Sequence, residues 1–231
     1  MIIGIIGAME EEISGIKKVL ETEKFERIGN TEFIICKFSD NLDVVLTVCG
    51  IGKVNAAICA QALIDKYKPD YIINTGVAGG IDPSVNVSDV VVSTDLIEHD
   101  FDCRAFGYEL GQIPRIKNWK FKADDTLAKK AVSAGEKIGA AMHTGRIISG
   151  DIFVNDNDVK QTLYKKFGAK CCEMEGAAIA HTAQENNVPF VVIRSISDKA
   201  DDDSAGDFDA FVIKACEVSK KLMLELLSSF E

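Results

Sequence analysis

Carboxylates stand directly after several apolar segments of this 231-residue chain. Glu12 follows the apolar start of the sequence, Glu175 follows a pair of cysteines, and Asp198 ends the largely apolar run from Phe190. In open α/β sheets ligands bind outside the carboxyl ends of the strands, so acids that follow buried strands meet at one edge of the sheet. The sequence therefore predicts an acidic site at such an edge, able to transfer protons and to stabilise a cation.

Cleavage of a sugar–base bond is a reaction that needs this set of groups. Its transition state resembles an oxocarbenium ion, as in glycoside hydrolysis. One acid must protonate the departing base, another carboxylate must position or deprotonate water, and a third can hold the ribose hydroxyls. Phe153 and the aromatic residues of the irregular segment Glu98–Lys122 are candidates to stack on the base.

Each of these carboxylates also has a purely structural interpretation. Glu10–Glu12 open a helix, where the helix dipole favours acids. Glu173 and Glu175 suit an exposed helix start, and Asp198 can cap a turn or pair with Arg194. The residues taken singly leave both interpretations open.

Glycines follow two of the same segments, but they match no complete nucleotide-binding motif. Gly50 and Gly52 lack the third glycine of the dinucleotide fingerprint, and Lys53 lacks the surroundings of a phosphate-binding loop. Gly76–Gly80 is predicted to be a strand-to-helix turn, where glycine is the default residue. The sequence also contains neither the paired-histidine motif of a catalytic zinc site nor the nucleophile elbow of a serine hydrolase.

Short apolar runs alternate with longer segments of helical period. The runs that predict strands are Ile2–Ile6, Glu32–Phe38, Asp43–Val48, Tyr71–Asn74, Val90–Thr94, Arg146–Ser149 and Phe190–Ser195. The segments that predict helices are Glu10–Leu20, Lys53–Tyr67, Thr126–Ile138, Val159–Phe167, Gly176–Asn186 and Phe208–Leu227. Several strands are apolar at almost every position, which is typical of parallel or mixed sheets covered on both faces. The alternation predicts one layered α/β domain over residues 1–231.

The composition limits the partners that we expect. The formal net charge is -10, whereas nucleic acids and anionic membranes are bound mainly through clustered lysine and arginine. The apolar runs are far shorter than the about 20 residues that a membrane-spanning helix needs. Seven cysteines, an odd count without a Cys-x-x-Cys pair, predict reduced thiols and a cytoplasmic location.

Taken together, several motifs resemble those of the 5′-methylthioadenosine/S-adenosylhomocysteine nucleosidases, hydrolytic members of the purine nucleoside phosphorylase fold superfamily. The matching segments are Gly4–Glu12, Gly50–Val54, Asn74–Gly76, Ala78–Gly80, Ala105–Glu109, Ser149–Asp151, Glu173–Glu175 and Ser195–Asp198. Each segment is weakly specific, but the set, in family order along the chain, is highly specific. The resemblance implies a nucleoside phosphorylase-like fold, a three-layer α/β/α arrangement with a central mixed β-sheet.

The same resemblance implies roles for individual residues. Asp198 is similar to the general acid that protonates adenine N7, and Glu12 is similar to the carboxylate that activates the attacking water. Glu175 resembles the acceptor of the ribose 2′- and 3′-hydroxyls, with Met174 as a second ribose contact. Arg194 resembles a residue near the water and Glu175.

The base and the 5′-substituent of an adenine nucleoside have further contacts in this family pattern. Val154 would pair with adenine through its backbone, while Phe153 would stack on the ring. The small residues that would let the nucleoside approach closely are Ala78 and Gly79. The residues that would line the alkylthio pocket are Met9, Ile51 and Phe208. The residues that the partner subunit of a homodimer would lend are Phe106, Tyr108 and Pro114, and neither a metal nor an organic cofactor is implied.

One position departs from the family pattern. Val77 stands where the family often has a small hydroxyl residue, and a valine side chain cannot hydrogen-bond the water or the ribose. Water positioning would then rest on Glu12, Arg194 and Glu175, with a consequence for rate or substrate preference.

Three alternative functions stay open at this point. A nucleoside phosphorylase of the same fold would need cationic groups to hold phosphate, and the first loop offers Glu10–Glu12 instead. A non-catalytic nucleoside sensor would not need both Glu12 and Asp198, and a dinucleotide-dependent oxidoreductase would need the full glycine fingerprint. The sequence also leaves open whether the preferred 5′-substituent is methylthio, homocysteinyl, deoxy or of the futalosine type.

Overall fold

The computed structural model describes residues 1–201 and 204–231, with side chains for 1–201 and 211–231. The strands are β1 (Ile2–Gly7), β2 (Glu21–Ile28), β3 (Thr31–Ser39), β4 (Leu42–Val48), β5 (Tyr71–Gly80), β6 (Val90–Glu98), β7 (Phe121–Lys122), β8 (Met142–Ser149), β9 (Cys171–Glu173) and β10 (Phe190–Asp198). The helices are α1 (Glu10–Lys17), α2 (Lys53–Tyr67), α3 (Asp125–Lys137), α4 (Asn157–Phe167), α5 (Gly176–Glu185) and α6 (Ser204–Ser228), with a 3₁₀ turn at Arg104–Phe106.

The strands form one mixed sheet, part of which closes on itself. β4, β1, β5 and β10 lie parallel in that order, and β3 and β2 extend the β4 side as antiparallel strands. β5 pairs with β1 through its first residues, with β9 at its last two, and with β10 along most of its length. Because β9 continues through β8 and β6 back to β10, five strands close into a ring. The ring brings the carboxyl ends of β5, β8, β9 and β10 close together.

Helices cover both faces of the sheet. α2 and α5 pack into one apolar core, and α1, α3 and α6 pack into the core on the opposite face. Every residue of β10 is buried between these layers. The predicted three-layer α/β/α fold with a mixed sheet is confirmed.

The structure corrects several local predictions. Gly76–Gly80 is not a turn but the second half of β5, where pairing with β10 continues the strand. No strand is predicted at β2, because its sequence is rich in charge. The strand lies exposed at the edge of the sheet and pairs with β3. The irregular stretch after Glu98 was expected, and it contains only the 3₁₀ turn and the two residues of β7. In the described part of the chain, no helix is both long and apolar enough to cross a membrane.

Candidate active site

A cavity of about 410 Å³ opens at the carboxyl edge of the sheet. The residues singled out from the sequence that line it are Met9, Glu12, Ile51, Ala78, Gly79, Phe153, Met174, Glu175 and Asp198. Val154 lines a small adjoining space of about 30 Å³, together with Gly79, Phe153 and Asp198. Strand ends that are distant in sequence therefore meet around one cavity, as the sheet argument predicts.

Glu12 is held in place by three backbone amides. Its Oε2 accepts the N–H groups of Ala8 at 2.7 Å and Met9 at 3.0 Å, and its Oε1 accepts that of Val77 at 2.9 Å. Burial raises the pKa of this carboxyl, although the charge of Arg194 and the three amides oppose the shift. Glu12 thus caps its own helix and also faces the cavity, so its structural and chemical interpretations are compatible.

The Val77 contact bears on the departure noted in the sequence. Glu12 is bound by the main-chain amide of Val77, which any residue except proline would supply. The missing side-chain hydroxyl therefore does not remove this support. The valine side chain makes an apolar patch in the cavity wall instead.

Asp198 is 2% exposed at the end of β10, and donors bind both of its oxygens. Its Oδ1 accepts the N–H of Ala200 at 2.8 Å, and its Oδ2 accepts the hydroxyl of Ser197 at 2.8 Å. A Cβ placed on Gly79 would lie 2.9 Å from Asp198 Oδ1, so only glycine leaves the carboxyl undisturbed there. Arg194, one of its possible partners from sequence, binds Glu173 instead.

A buried cluster of one arginine and two glutamates lies beside the cavity. Arg194 donates to Glu173 Oε2 through Nη2 and, at 3.1 Å, through Nε, and it donates to Asn74 Oδ1 at 2.6 Å. Its Nη2 also lies 3.8 Å from Glu175 Oε2. Burial opposes the charge of Arg194, but Glu173, Glu12 and Glu175 outweigh this and raise its pKa above the usual range. The guanidinium is therefore a permanent cation behind the site.

Glu175 connects this cluster to the start of α2. Its Oε1 accepts the N–H of Gly52 at 2.9 Å, and Gly52 adopts the left-handed φ of 97° that favours glycine. Burial and the charge of Glu173 raise the pKa of Glu175, while Arg194 and the Gly52 amide oppose the shift. Both glutamates are buried, so their interpretation as an exposed helix start is wrong.

We expect Arg194→Met to lower the free energy of unfolding by about 3–5 kcal/mol, because removing one partner leaves buried acids uncompensated. Urea unfolding at neutral pH measures the change. Arg104→Met is the control, since Arg104 pairs with Asp102 at the surface. A loss no larger than that of the control would show that the cluster does not depend on its cation.

Four residues assigned from the sequence lie elsewhere or cannot be placed. Phe106, Tyr108 and Pro114 are not among the described residues that line the cavity, and the Phe106 side chain is 81% exposed. Phe208 lies outside the residues whose side chains are described. Within the described part of this one chain, Phe106, Tyr108 and Pro114 therefore do not line the cavity.

Sequence reasoning also missed members of the site. Glu173, Ser197 and Cys172 line the cavity, and each stands next to or near a residue that had been singled out. Glu173 is the strongest omission, because it binds Arg194, the hydroxyl of Ser149 and the N–H of Gly176 at 2.7 Å. The available signal for Glu173 in the sequence is its position two residues before Glu175.

The charge of the lining limits the chemistry. Among the described residues, four acids line the cavity and no lysine or arginine does. Such a lining stabilises positive charge on a sugar and repels an anionic nucleophile. With one acid at Asp198 and another at Glu12, the cavity can protonate a leaving group and deprotonate water.

Comparisons with known proteins cover nearly the whole chain. The family model of the phosphorylase superfamily matches residues 2–228. A 5′-methylthioadenosine/S-adenosylhomocysteine nucleosidase of Staphylococcus carnosus is 44% identical over 229 residues, which are 98% of this chain and 99% of that relative. The structure of the nucleosidase of the same name from Neisseria meningitidis, in complex with methylthio-immucillin-A, is similar with a TM-score of 0.95 and 38% identity, over 99% of each chain. The native structure of futalosine hydrolase of Helicobacter pylori is similar with a TM-score of 0.94 and 31% identity, over 99% of this chain and 98% of that one.

Proposed function

The chain belongs to the phosphorylase superfamily and, within it, to the 5′-methylthioadenosine/S-adenosylhomocysteine nucleosidases, and on that premise we propose that it hydrolyses the N-glycosidic bond of both nucleosides. The products are adenine and the corresponding thioribose, as methionine salvage and the recycling of S-adenosylhomocysteine require, and 5′-deoxyadenosine is a further substrate. The observation that carries the proposal is that Glu12, Glu175 and Asp198 line one cavity.

Each acid has a separate task in the proposed reaction. Asp198 gives a proton to adenine N7 as the bond between base and ribose breaks, so the base leaves as a neutral molecule. Glu12 takes a proton from the water that attacks the anomeric carbon, and Glu175 accepts hydrogen bonds from the ribose hydroxyls. Arg194 is a positioning residue, since it acts through Glu173 and Glu175.

The remaining lining groups fit the two ends of a nucleoside. Phe153, Gly79 and Asp198 line both the cavity and the small adjoining space beside Val154, so we assign this end of the cavity to the base. Ala78, which is small, and Met174, which is apolar, line the part of the cavity that we assign to the ribose. Met9 and Ile51 belong to the larger cavity, and we assign them, with Phe208, to the 5′-substituent.

Exposed apolar side chains support a homodimer as part of this proposal. Ile51, just before α2, and Val54 and Ile58 in its first turns are 54%, 68% and 61% exposed. Phe106 is also exposed. Contiguous exposed apolar residues mark interaction sites, so we propose that this face meets a second copy, to which Phe106, Tyr108 and Pro114 are lent.

The thiols support a reducing, cytoplasmic location for the enzyme. All seven cysteines are free, and the adjacent Cys171 and Cys172 are both buried. Proteins of reducing compartments keep their thiols in this form.

A futalosine-type substrate is the second candidate, because a futalosine hydrolase is among the structural relatives at 31% identity. A panel of adenosines with methylthio, homocysteinyl, deoxy or futalosine-type 5′-groups, assayed for release of the base, separates the two. We expect the highest kcat/KM for the methylthio and homocysteinyl compounds. A preference for the futalosine-type compound would reverse the substrate assignment, and no release from any compound would favour a nucleoside sensor.

We expect Gly79→Ala to lower kcat for adenine release by roughly 10²-fold, because the added methyl must displace Asp198 and a shift of about 1 Å can cost that much. Gly80→Ala is the matched control. Its Cβ would meet Ile196 at 3.3 Å, which requires only a small adjustment. Equal activity of the two variants would contradict the assigned position of Asp198.

We expect kcat/KM to fall on acidification at a pH above the ordinary pKa of glutamate, about 4.3. Burial raises the pKa of Glu12, and this carboxyl must be ionised to take a proton from water. Activity is therefore present above the raised pKa and is lost as pH falls through it. Glu175 shifts in the same direction. A pH profile of kcat/KM that stays flat down to the ordinary glutamate pKa would contradict the role of Glu12.

A further inference from the structure

A ring of charged groups lies outside the cavity, at the start of α2. The Nζ of Lys53 donates to Asp100 Oδ1 at 2.6 Å, and Asp100 Oδ2 accepts the N–H of Asp151 at 3.0 Å. Asp151 Oδ1 in turn accepts the N–H of Lys53 at 2.8 Å, which closes the ring. The Lys53 Nζ also donates to Glu98 Oε2 at 3.1 Å, and Glu98 Oε1 lies 3.4 Å from His181 Nδ1.

The ring touches the site through chain neighbours rather than directly. Gly52, immediately before Lys53, donates its N–H to Glu175 Oε1 at 2.9 Å. Phe153, two residues after Asp151, lines the cavity, whereas the three members of the ring do not line it within the described chain. The ring therefore connects the start of α2, whose Gly52 amide binds Glu175, to the segment from Asp151 to Phe153.

The ion pair between Lys53 and Asp100 is partly shielded from solvent, whereas Asp151 is exposed. The side chains of Lys53 and Asp100 are 16% and 19% exposed, so solvent competes weakly for them. Charge-assisted hydrogen bonds are roughly twice as strong as neutral ones. Each oxygen of Asp100 accepts one donor, so an amide in its place, which has one acceptor oxygen, must give up one of the two bonds.

We propose that Lys53, Asp100 and Asp151 are positioning residues that hold the Gly52 amide on Glu175. They thereby set how strongly the enzyme binds the ribose hydroxyls. The proposal rests on the function proposed above. Loss of the ring lets the start of α2 shift, and Glu175 then loses the donor that orients it. Recognition of the hydroxyls weakens more than the chemistry at the base.

The test compares 5′-methylthioadenosine with its 3′-deoxy analogue in wild type and in Asp100→Asn. The measured quantity is the ratio of the two kcat/KM values, which reports the use made of the 3′-hydroxyl. We expect Asp100→Asn to reduce this ratio at least about fivefold, in keeping with a weakened hydrogen bond to a charged group. Asp95→Asn is the matched control, because Asp95 is also 19% exposed, binds Arg146 and Thr94 through its two oxygens, and should keep the wild-type ratio.

A fall of both kcat/KM values in parallel, with the ratio unchanged, would assign the ring a merely structural role and overturn the inference. If Asp100→Asn does not fold, Asp151→Ala is measured in the same way, with the same expected fall and the same overturning result. Wild-type enzyme that releases no adenine from either compound would overturn the proposed function, and the inference with it. Wild-type turnover with an unchanged variant ratio overturns the inference alone.

Discussion

Asp198→Asn is expected to lower kcat for adenine release by about 10²–10⁴-fold, the usual contribution of a general acid, while KM changes little. The asparagine carbonyl can still accept the N–H of Ala200, which binds Asp198 Oδ1 at 2.8 Å in the wild type. The side chain therefore keeps its place, but it has no carboxylic proton to give to N7. Steady-state kinetics of adenine release with 5′-methylthioadenosine measures both constants.

A control for this variant should change a partly buried acid near β10 without touching the cavity. Asp89→Asn meets this need, since Asp89 binds His143 at 2.8 Å and its backbone carbonyl accepts the N–H of Ile196. We expect it to keep wild-type turnover. Wild-type turnover in Asp198→Asn itself would refute the assignment of the general acid.

Glu12→Gln is expected to have a comparable effect on rate, about 10²–10⁴-fold, together with a loss of stability of about 1–3 kcal/mol. The two oxygens of Glu12 accept three backbone N–H groups, from Ala8, Met9 and Val77. A glutamine has one acceptor oxygen, so at least one buried N–H would face the amide NH₂ and lose its partner. The rate falls because the amide cannot take a proton from water.

Glu11→Gln is the matched control, because Glu11 is the neighbouring acid in the same helical turn and is exposed. It should change neither the rate nor the urea midpoint. Full activity in Glu12→Gln would show that Glu12 is not the group that deprotonates water. A rate loss without a stability loss would instead contradict the importance of the three amides.

The sequence was informative where chemistry depends on strand ends. The sequence predicts Glu12, Glu175 and Asp198 at one edge because residues that follow buried strands converge there, and all three line one cavity. The strand before Glu175, β9, is not among the predicted strands. Only the order of the apolar segments along the chain is needed to expect this convergence. It does not depend on the exact strand boundaries.

The sequence was less informative where structure depends on side-chain partners. The partner of Arg194 was open, and the choice of Glu173 over Asp198 is made by packing between β9 and β10. Gly76–Gly80 looked like a turn, because local preference cannot show that β10 pairs beside it. The exposed, charge-rich β2 carries no apolar signal at all.

Release of adenine from 5′-methylthioadenosine in phosphate-free buffer tests the central claim most directly. Hydrolysis directed by Glu12 and Asp198 predicts full activity there, no stimulation by added phosphate, and free thioribose as the sugar product. A strict requirement for phosphate, with a sugar 1-phosphate as product, would contradict it.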